Sequence, residues 1–259
     1  LGTIATPTAP FGLLDVRGDG AATHGLCREL PPALARRVRA QVRRYGVTPA
    51  SLFHLAFALL LARCCDQEDV VFGTVMFGRL QGGEDVERAL GLFINTLPLR
   101  INCDARPVAQ ALRETQRAML ALMHHEHASL GLAQRCSALP APAPLFSALL
   151  NFRHSQDRGE SGLNLDGVEL AYTDGRTNYP FLLSVDDLGD GFRAGVETDR
   201  SVDPARIYEF VLKTLDSLVS ALEDAPQTAL RSLDVLPASE TATLQAWTAT
   251  EVTFPREQT

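Results

Sequence analysis

The sequence predicts an α/β protein built on one mixed β-sheet covered by helices, and three observations carry that expectation. Short β-branched or apolar runs of strand length alternate along the chain with helical stretches. One of those stretches, Ala50 to Arg63, is apolar nearly all round and demands neighbours on most sides. Of the 259 residues, 46% are hydrophobic and 21% charged, which is enough apolar mass for a sizeable core.

Residues 1–30 are rich in Gly, Pro and Thr and read as an extended lead-in. Pro31-Pro32 opens a helix with Leu34, Val38 and Val42 on its inner side and Gly46 as the stop. Arg36, Arg37, Arg39, Arg43 and Arg44 lie on and around its outer face, as a solvated surface or else a protein-partner or interdomain contact. Thr48-Pro49 caps the helix Ala50 to Arg63, and His54 inside it reads as a satisfied core residue. Asp69 to Phe77 fits a central strand covered on both faces. Asp85 to Leu90 reads as a short helix.

Phe93 to Ile101 is a further strand, in which Pro98 points to an edge or a bulge. Pro107 to His124 is an amphipathic helix carrying Leu112, Met119, Leu120 and Met123. The run 139–144 (LPAPAP) is a stiff loop, and Leu145 to Phe152 a buried strand. Residues 153–166 are polar and read as mobile. Val168 to Tyr172 and Phe181 to Val185 read as strands, and Asp186 to Asp190 turns a hairpin into Phe192 to Glu197. Asp203-Pro204 starts a long helix to about Leu222. Residues 225–259 hold a short apolar segment, a weak helix ending near Trp247, and a polar tail.

The net charge of −7 argues against nucleic acid as a partner. Five scattered cysteines, odd in number and without C-x-x-C, suggest neither a disulfide framework nor a structural zinc site and favour a reducing cytoplasm. The longest apolar run, Leu55 to Ala62, is far shorter than the ~20 residues of a membrane-spanning helix. The first residues lack the pattern of a signal peptide, and the missing initial Met fits a piece of something longer.

Few residues invite chemistry. His124 and His127 stand three apart with Glu126 between them, a spacing that suits a metal, but no fourth ligand is visible. Helix-end solvation or packing is the preferred reading, and no catalytic or metal residue is assigned. G-x-S-x-G, Walker and dinucleotide loops are all missing from the sequence. Asn151 ends an apolar strand, where a carboxamide must be bonded or face a cavity. Ser147 has the same parity and points to the same side. Asn95 and Thr96 point to opposite faces, so one bonds within a loop and the other faces a cleft. Arg79 suits either an interdomain ion pair or a carboxylate or carbonyl ligand.

The segment Gly91-Leu92-Phe93-Ile94-Asn95-Thr96-Leu97-Pro98-Leu99-Arg100 resembles the G-x-F-V-N-T-x-x-x-R motif of the condensation domains of nonribosomal peptide synthetases. Val47 to His54, Asp69 to Thr74, Leu145 to Ser155 and Thr177 to Pro180 are similar to further segments of that family, and Glu240 to Pro255 resembles its linker to an adenylation domain. The family's H-H-x-x-x-D-G signature is not in this sequence: after His124-His125, Ser129 and Leu130 stand where Asp and Gly belong. Its R-D-x-S-R-N-P-L motif is reduced to Pro142-Ala143-Pro144-Leu145-Phe146.

The resemblance implies a two-lobe fold similar to chloramphenicol acetyltransferase, of which this chain is the C-terminal lobe (residues 1–224) with a segment and linker (225–259). It implies amide formation between thioesters on carrier proteins, with a histidine of the first lobe assisting. No cofactor is bound directly; phosphopantetheine is carried by the partner carrier proteins. The N-terminal lobe and an adenylation domain are the other implied partners. Ser147, Asn151, Asn95, Thr96 and Arg79 are the expected tunnel residues, with a floor loop near Arg79 to Gly91 and a latch near Arg153 to Tyr179. The alternative is a non-catalytic platform that binds a carrier or another partner. A metal-dependent hydrolase at the histidines is a third reading.

Overall fold

Thr48 accepts a hydrogen bond from the Ser51 amide and starts helix α2 (Pro49–Cys65), whose residues from Ser51 to Ala62 are all buried. A helix with no polar face needs a floor and walls. The floor is a six-stranded sheet of β1 (Thr23–Glu29), β2 (Asp69–Met76), β3 (Asn95–Asn102), β4 (Ala148–His154), β5 (Phe181–Asp187) and β6 (Phe192–Asp199), in the order β1-β6-β5-β4-β2-β3. The walls are α1 (Pro32–Tyr45), α3 (Val108–Met123) and α5 (Pro204–Asp224). The short α4 (Leu130–Arg135) and α6 (Ala238–Thr248) complete the elements of this computed structural model, which describes residues 1–78, 90–154 and 177–250.

The sheet is mixed as expected: β4 runs parallel to β2 and to β5, and the remaining pairs are antiparallel. β3 is an outer strand, the place where Pro98 is tolerated without a partner for its missing N–H. Phe53 and Phe57 fix α2 to the sheet through rings on four strands. Phe53 meets Phe192 at 5.0 Å and Phe152 at 5.8 Å, and Phe57 meets Phe72 at 5.1 Å and Phe181 at 5.8 Å.

The helical cover lies mainly on one face. The other face carries a smaller cluster of Ile4, Val71, Leu145, Phe146 and Leu149, with Leu130 and Ala133 of α4 packed against it. Thus β2 is covered on both faces, on one by helices and on the other by the lead-in and α4. The lead-in itself contains β1, an edge strand that its composition did not reveal. Leu120 is another departure, standing exposed on α3. Beyond α5 the chain stays with the core, through buried Leu230, Leu233 and Val235. The expected helix 85–90, strand 168–172 and much of the floor loop and latch lie outside the described residues.

The arginines of α1 divide. Arg37 bonds Asp216 and Glu223 of α5 at 2.6 and 2.7 Å, and Arg44 donates to the Leu222 carbonyl at 3.3 Å. Arg39 stacks over the Phe192 ring at 4.1 Å and forks onto Asp187. Arg37 and Arg39 thereby clamp α1 to its neighbours, whereas Arg36, Arg43 and Arg44 are exposed. Burial pushes the Asp187 carboxyl upward, but the bonds from Arg39 and the Gly189 amide outweigh it and hold its pKa below the usual value.

His54 is a satisfied core residue, as expected. Its Nδ1 lies 2.7 Å from the Ala50 carbonyl, which can only accept, so Nδ1 carries the proton. Nε2 then accepts from the Thr74 hydroxyl at 2.7 Å. Burial lowers the His54 pKa to about 4 from 6.5, against the Ala50 bond. The unfolded chain therefore binds the extra proton between those values, and stability rises with pH across that window. Acidification from pH 6.5 to 4 is expected to cost up to about 3 kcal/mol through this residue. Urea midpoints against pH check this: His54→Gln must flatten the slope between pH 4 and 6.5.

Candidate functional site

The alternation of β4 sets the geometry. Ala148 and Leu150 join the helical core, so Leu149, Asn151 and Arg153 face the opposite way. In register across the sheet, Asn151 pairs with Ser184, Ser184 with Gly195, and Gly195 with Cys27. This row of small side chains crosses four strands. Asn151, Ser184 and Gly195 are half-buried and Cys27 is exposed. The next row is charged: Arg153 bonds Asp186 at 2.7 Å, and Arg193 reaches Glu29 at 3.3 Å. On the other side stand Leu149, Leu182 and Glu197, and burial raises the Glu197 pKa against the opposing effect of Arg153.

Ser147 stands just ahead of β4 and Asn151 within it, and their environments differ. Ser147 is fully buried and its Oγ has no hydrogen-bond partner among the described residues, so of the two Asn151 reaches the open face. The Asn151 amide makes no side-chain hydrogen bond among the described residues. Asn95 is the member of its pair that bonds within a loop. Its Nδ2 donates to the Glu126 and Ala128 carbonyls, each at 2.8 Å, and its Oδ1 accepts from the Thr96 amide at 2.9 Å. Thr96 lies on the open side against Gly73, where an added Cβ would run into Leu149, Phe146 and Thr96 itself. Gly73 thereby lets β3 and β4 side chains close over β2. Arg79 lies outside the described residues.

The histidine cluster has a structural setting. His127 lies 3.6 Å from the Glu126 carboxylate, which is fully buried, and Ser129 caps α4 by accepting from the Leu132 amide. Among the described residues no three metal-ligating side chains are grouped. The open face, with its uncharged small row, can hold and orient a neutral polar chain.

The condensation-domain family matches residues 17–245 of the sequence. The chain belongs to that family. Malpibaldin synthetase from Mortierella alpina is 45% identical over the whole chain, and malpinin synthetase from the same fungus 46% identical over 96% of it. The chain spans only 5% and 3% of those two proteins. The first condensation domain of the CDA synthetase superposes with a TM-score of 0.71 at 18% identity, over 90% of this chain and 51% of that one. A four-domain nonribosomal peptide synthetase bound to AMP and glycine gives 0.67 at 15% identity, covering 93% of this chain and 19% of that one. At such identities the solved structures show the shared fold, including its mixed sheet with helices.

Within this condensation-domain fold, Asn95 ties the outer strand to the loop carrying the histidines. Asn95→Ala leaves two carbonyls without their donor and is expected to cost about 1–3 kcal/mol. Asn95→Asp puts a carboxylate against the same two carbonyl oxygens and is expected to cost at least as much at neutral pH. Denaturation of both variants, with hydrogen exchange across residues 124–129, measures the effect. Unchanged exchange in that loop contradicts the assignment.

Proposed function

We propose that this chain is the C-terminal half of a nonribosomal peptide synthetase condensation domain, which joins carrier-bound acyl or peptidyl and aminoacyl thioesters through an amide bond. The observation that carries this is the open polar row on β4, β5, β6 and β1, in the same sheet as the strand of the Gly91–Arg100 motif, in a chain that spans about half of a solved condensation domain. In this reading the row Asn151–Ser184–Gly195–Cys27 forms part of a tunnel wall. Its small uncharged groups suit the amide-rich phosphopantetheine arm of a carrier protein better than a charged substrate. Thr96 stands toward the same side, and Asn95 holds the loop behind it. Ser147, sealed under the face, supports the wall rather than meeting the arm. Residues 225–259 lead toward an adenylation domain, the first of them packed on the lobe through Val235. The free cysteines favour the cytoplasm as its place of work.

The chain's own residues do the binding and orienting. The reacting amine needs a proton acceptor, and no H-H-x-x-x-D-G supplies one in this sequence. That histidine belongs to the partnering N-terminal lobe. The missing signature also favours a second reading, a platform that binds a carrier without chemistry.

Two measurements test the proposal. The purified chain, offered two loaded carrier proteins, is expected to make no detectable amide, since general base or positioning effects are typically worth about 10²–10⁴-fold. Turnover by the chain alone, lost in His125→Ala, overturns the half-domain reading. In the complete two-lobe domain, Asn151→Ala is expected to lower the single-turnover rate while changing stability by less than about 1 kcal/mol. A large fall in melting temperature with a normal rate identifies Asn151 as a structural clamp instead.

A further inference from the structure

On the open face, Glu197 of β6 stands between Leu182 and Gly25, in a register row that runs Gly73–Leu149–Leu182–Glu197–Gly25. It is half-buried, and its carboxylate makes no hydrogen bond or ion pair among the described residues. Leu182 on one side packs against the apolar cluster of β2 and β4. Gly25 on the other side has no side chain, and a Cβ added there would stand 3.0 Å from the Glu197 Cγ. The glycine thus leaves open the ground that the Glu197 methylenes cover.

The other charges around this row are matched. Arg153 bonds Asp186 at 2.7 Å, and Arg193 reaches Glu29 at 3.3 Å. Asp199 accepts from the Ser201 amide at 2.9 Å and from its hydroxyl at 2.6 Å. The cations of β1 are engaged on the helical side: His24 lies 2.9 Å from the Val202 carbonyl, and Arg28 stands over the Tyr208 ring at 6.0 Å. Withdrawing a carboxylate from water without a counter-charge costs stability and raises its pKa, as burial does for Glu197. A strand with no use for that charge is better served by Thr or Val. Glu197 lies two residues along β6 from Gly195 of the uncharged row, a step of about 7 Å that a long side chain spans.

We propose that Glu197 is a specificity-determining residue, which receives a positively charged side chain of the aminoacyl group laid along this wall. Where the substrate lies rests on the proposed function; the unmatched carboxylate does not. The uncharged row takes the arm, and the carboxylate one row over takes the group that the arm carries. A guanidinium forks onto both carboxylate oxygens and supplies the counter-charge that Glu197 lacks. An uncharged side chain of the same length leaves the carboxylate partly desolvated and unpaired, so it binds less well.

The test uses the complete two-lobe domain and two unreactive probes, the arginyl and citrullyl amides of aminopantetheine. These differ only in a guanidinium against a neutral ureido group. Titration calorimetry gives the ratio of their affinities for the parent, for Glu197→Gln and for Gly25→Ala, and the melting temperature of each is recorded. The parent is expected to favour the arginyl probe by about tenfold or more. Glu197→Gln keeps the shape of the side chain and is expected to bring the ratio close to one, with the citrullyl affinity little changed. Gly25→Ala crowds the carboxylate and is expected to lower the ratio in part. Equal affinity of the parent for the two probes, or no binding of either, overturns the proposal, as does a preference that survives in Glu197→Gln. A lower melting temperature in Glu197→Gln with the ratio unchanged assigns the carboxylate to a counter-charge on the first lobe and overturns it too. Amide formation from uncharged leucyl thioesters is followed on the same preparations. A domain that joins these but does not discriminate between the probes refutes this inference alone. One that discriminates and joins none refutes the proposed function and leaves the cation site standing.

Discussion

The rest of the fold answers to the burial of α2. A helix of Phe, Leu and Ala with no polar side cannot rest on a surface; it must be enclosed. Phe53 and Phe57 reach rings on β2, β4, β5 and β6, so one helix holds four strands in position. Each fully buried apolar side chain of this kind is worth about 1.5–3 kcal/mol relative to exposure. In this interior the Ala50–His54–Thr74 chain bonds both ring nitrogens of its histidine.

Enclosing α2 from one side leaves the sheet asymmetric. The helical face is dry and closed by α1, α3 and α5, with Arg37 and Arg39 latching α1 to α5 and to the β5–β6 hairpin. Among the described residues, the opposite face has its apolar cluster at the β2–β4 end. Toward β1 it is polar, and Gly195 between Ser184 and Cys27 keeps it shallow. This division separates support from contact: substitutions on the helical face act on stability, and those along the Asn151 row act on whatever lies against it.

Much of the fold was legible because its signals are local. Thr48-Pro49 and Asp203-Pro204 cap helices as read, Gly46 takes the left-handed conformation at φ 64° that ends α1, and Pro98 sits on an outer strand. β1 was missed because an edge strand exposed on most of its length shows no apolar alternation. α4 was hidden behind the histidines, its six residues too few for a periodic pattern. The pairing of Arg37 and Arg39 could not be read at all, since their carboxylates lie on α5 and β5, far along the chain. In the candidate site, strand parity placed Asn151 on the side opposite the helical core, but could not place Ser147, which precedes β4 and is buried, its amide bonded to the Thr8 carbonyl of the lead-in. For Asn95 and Thr96 the opposite faces were legible, and which of them bonds a loop was not.

The placement of β1 sets a timetable for the ribosome. β1 leaves the exit tunnel well before β6, its strand partner among the described residues, with Cys27 opposite Gly195 about 170 residues later. At typical synthesis rates that partner follows on the order of ten seconds or more afterwards. Through that interval β1 is an unpaired strand with a free cysteine. Its polar, charged composition (His24, Arg28, Glu29) is what keeps it soluble while it waits.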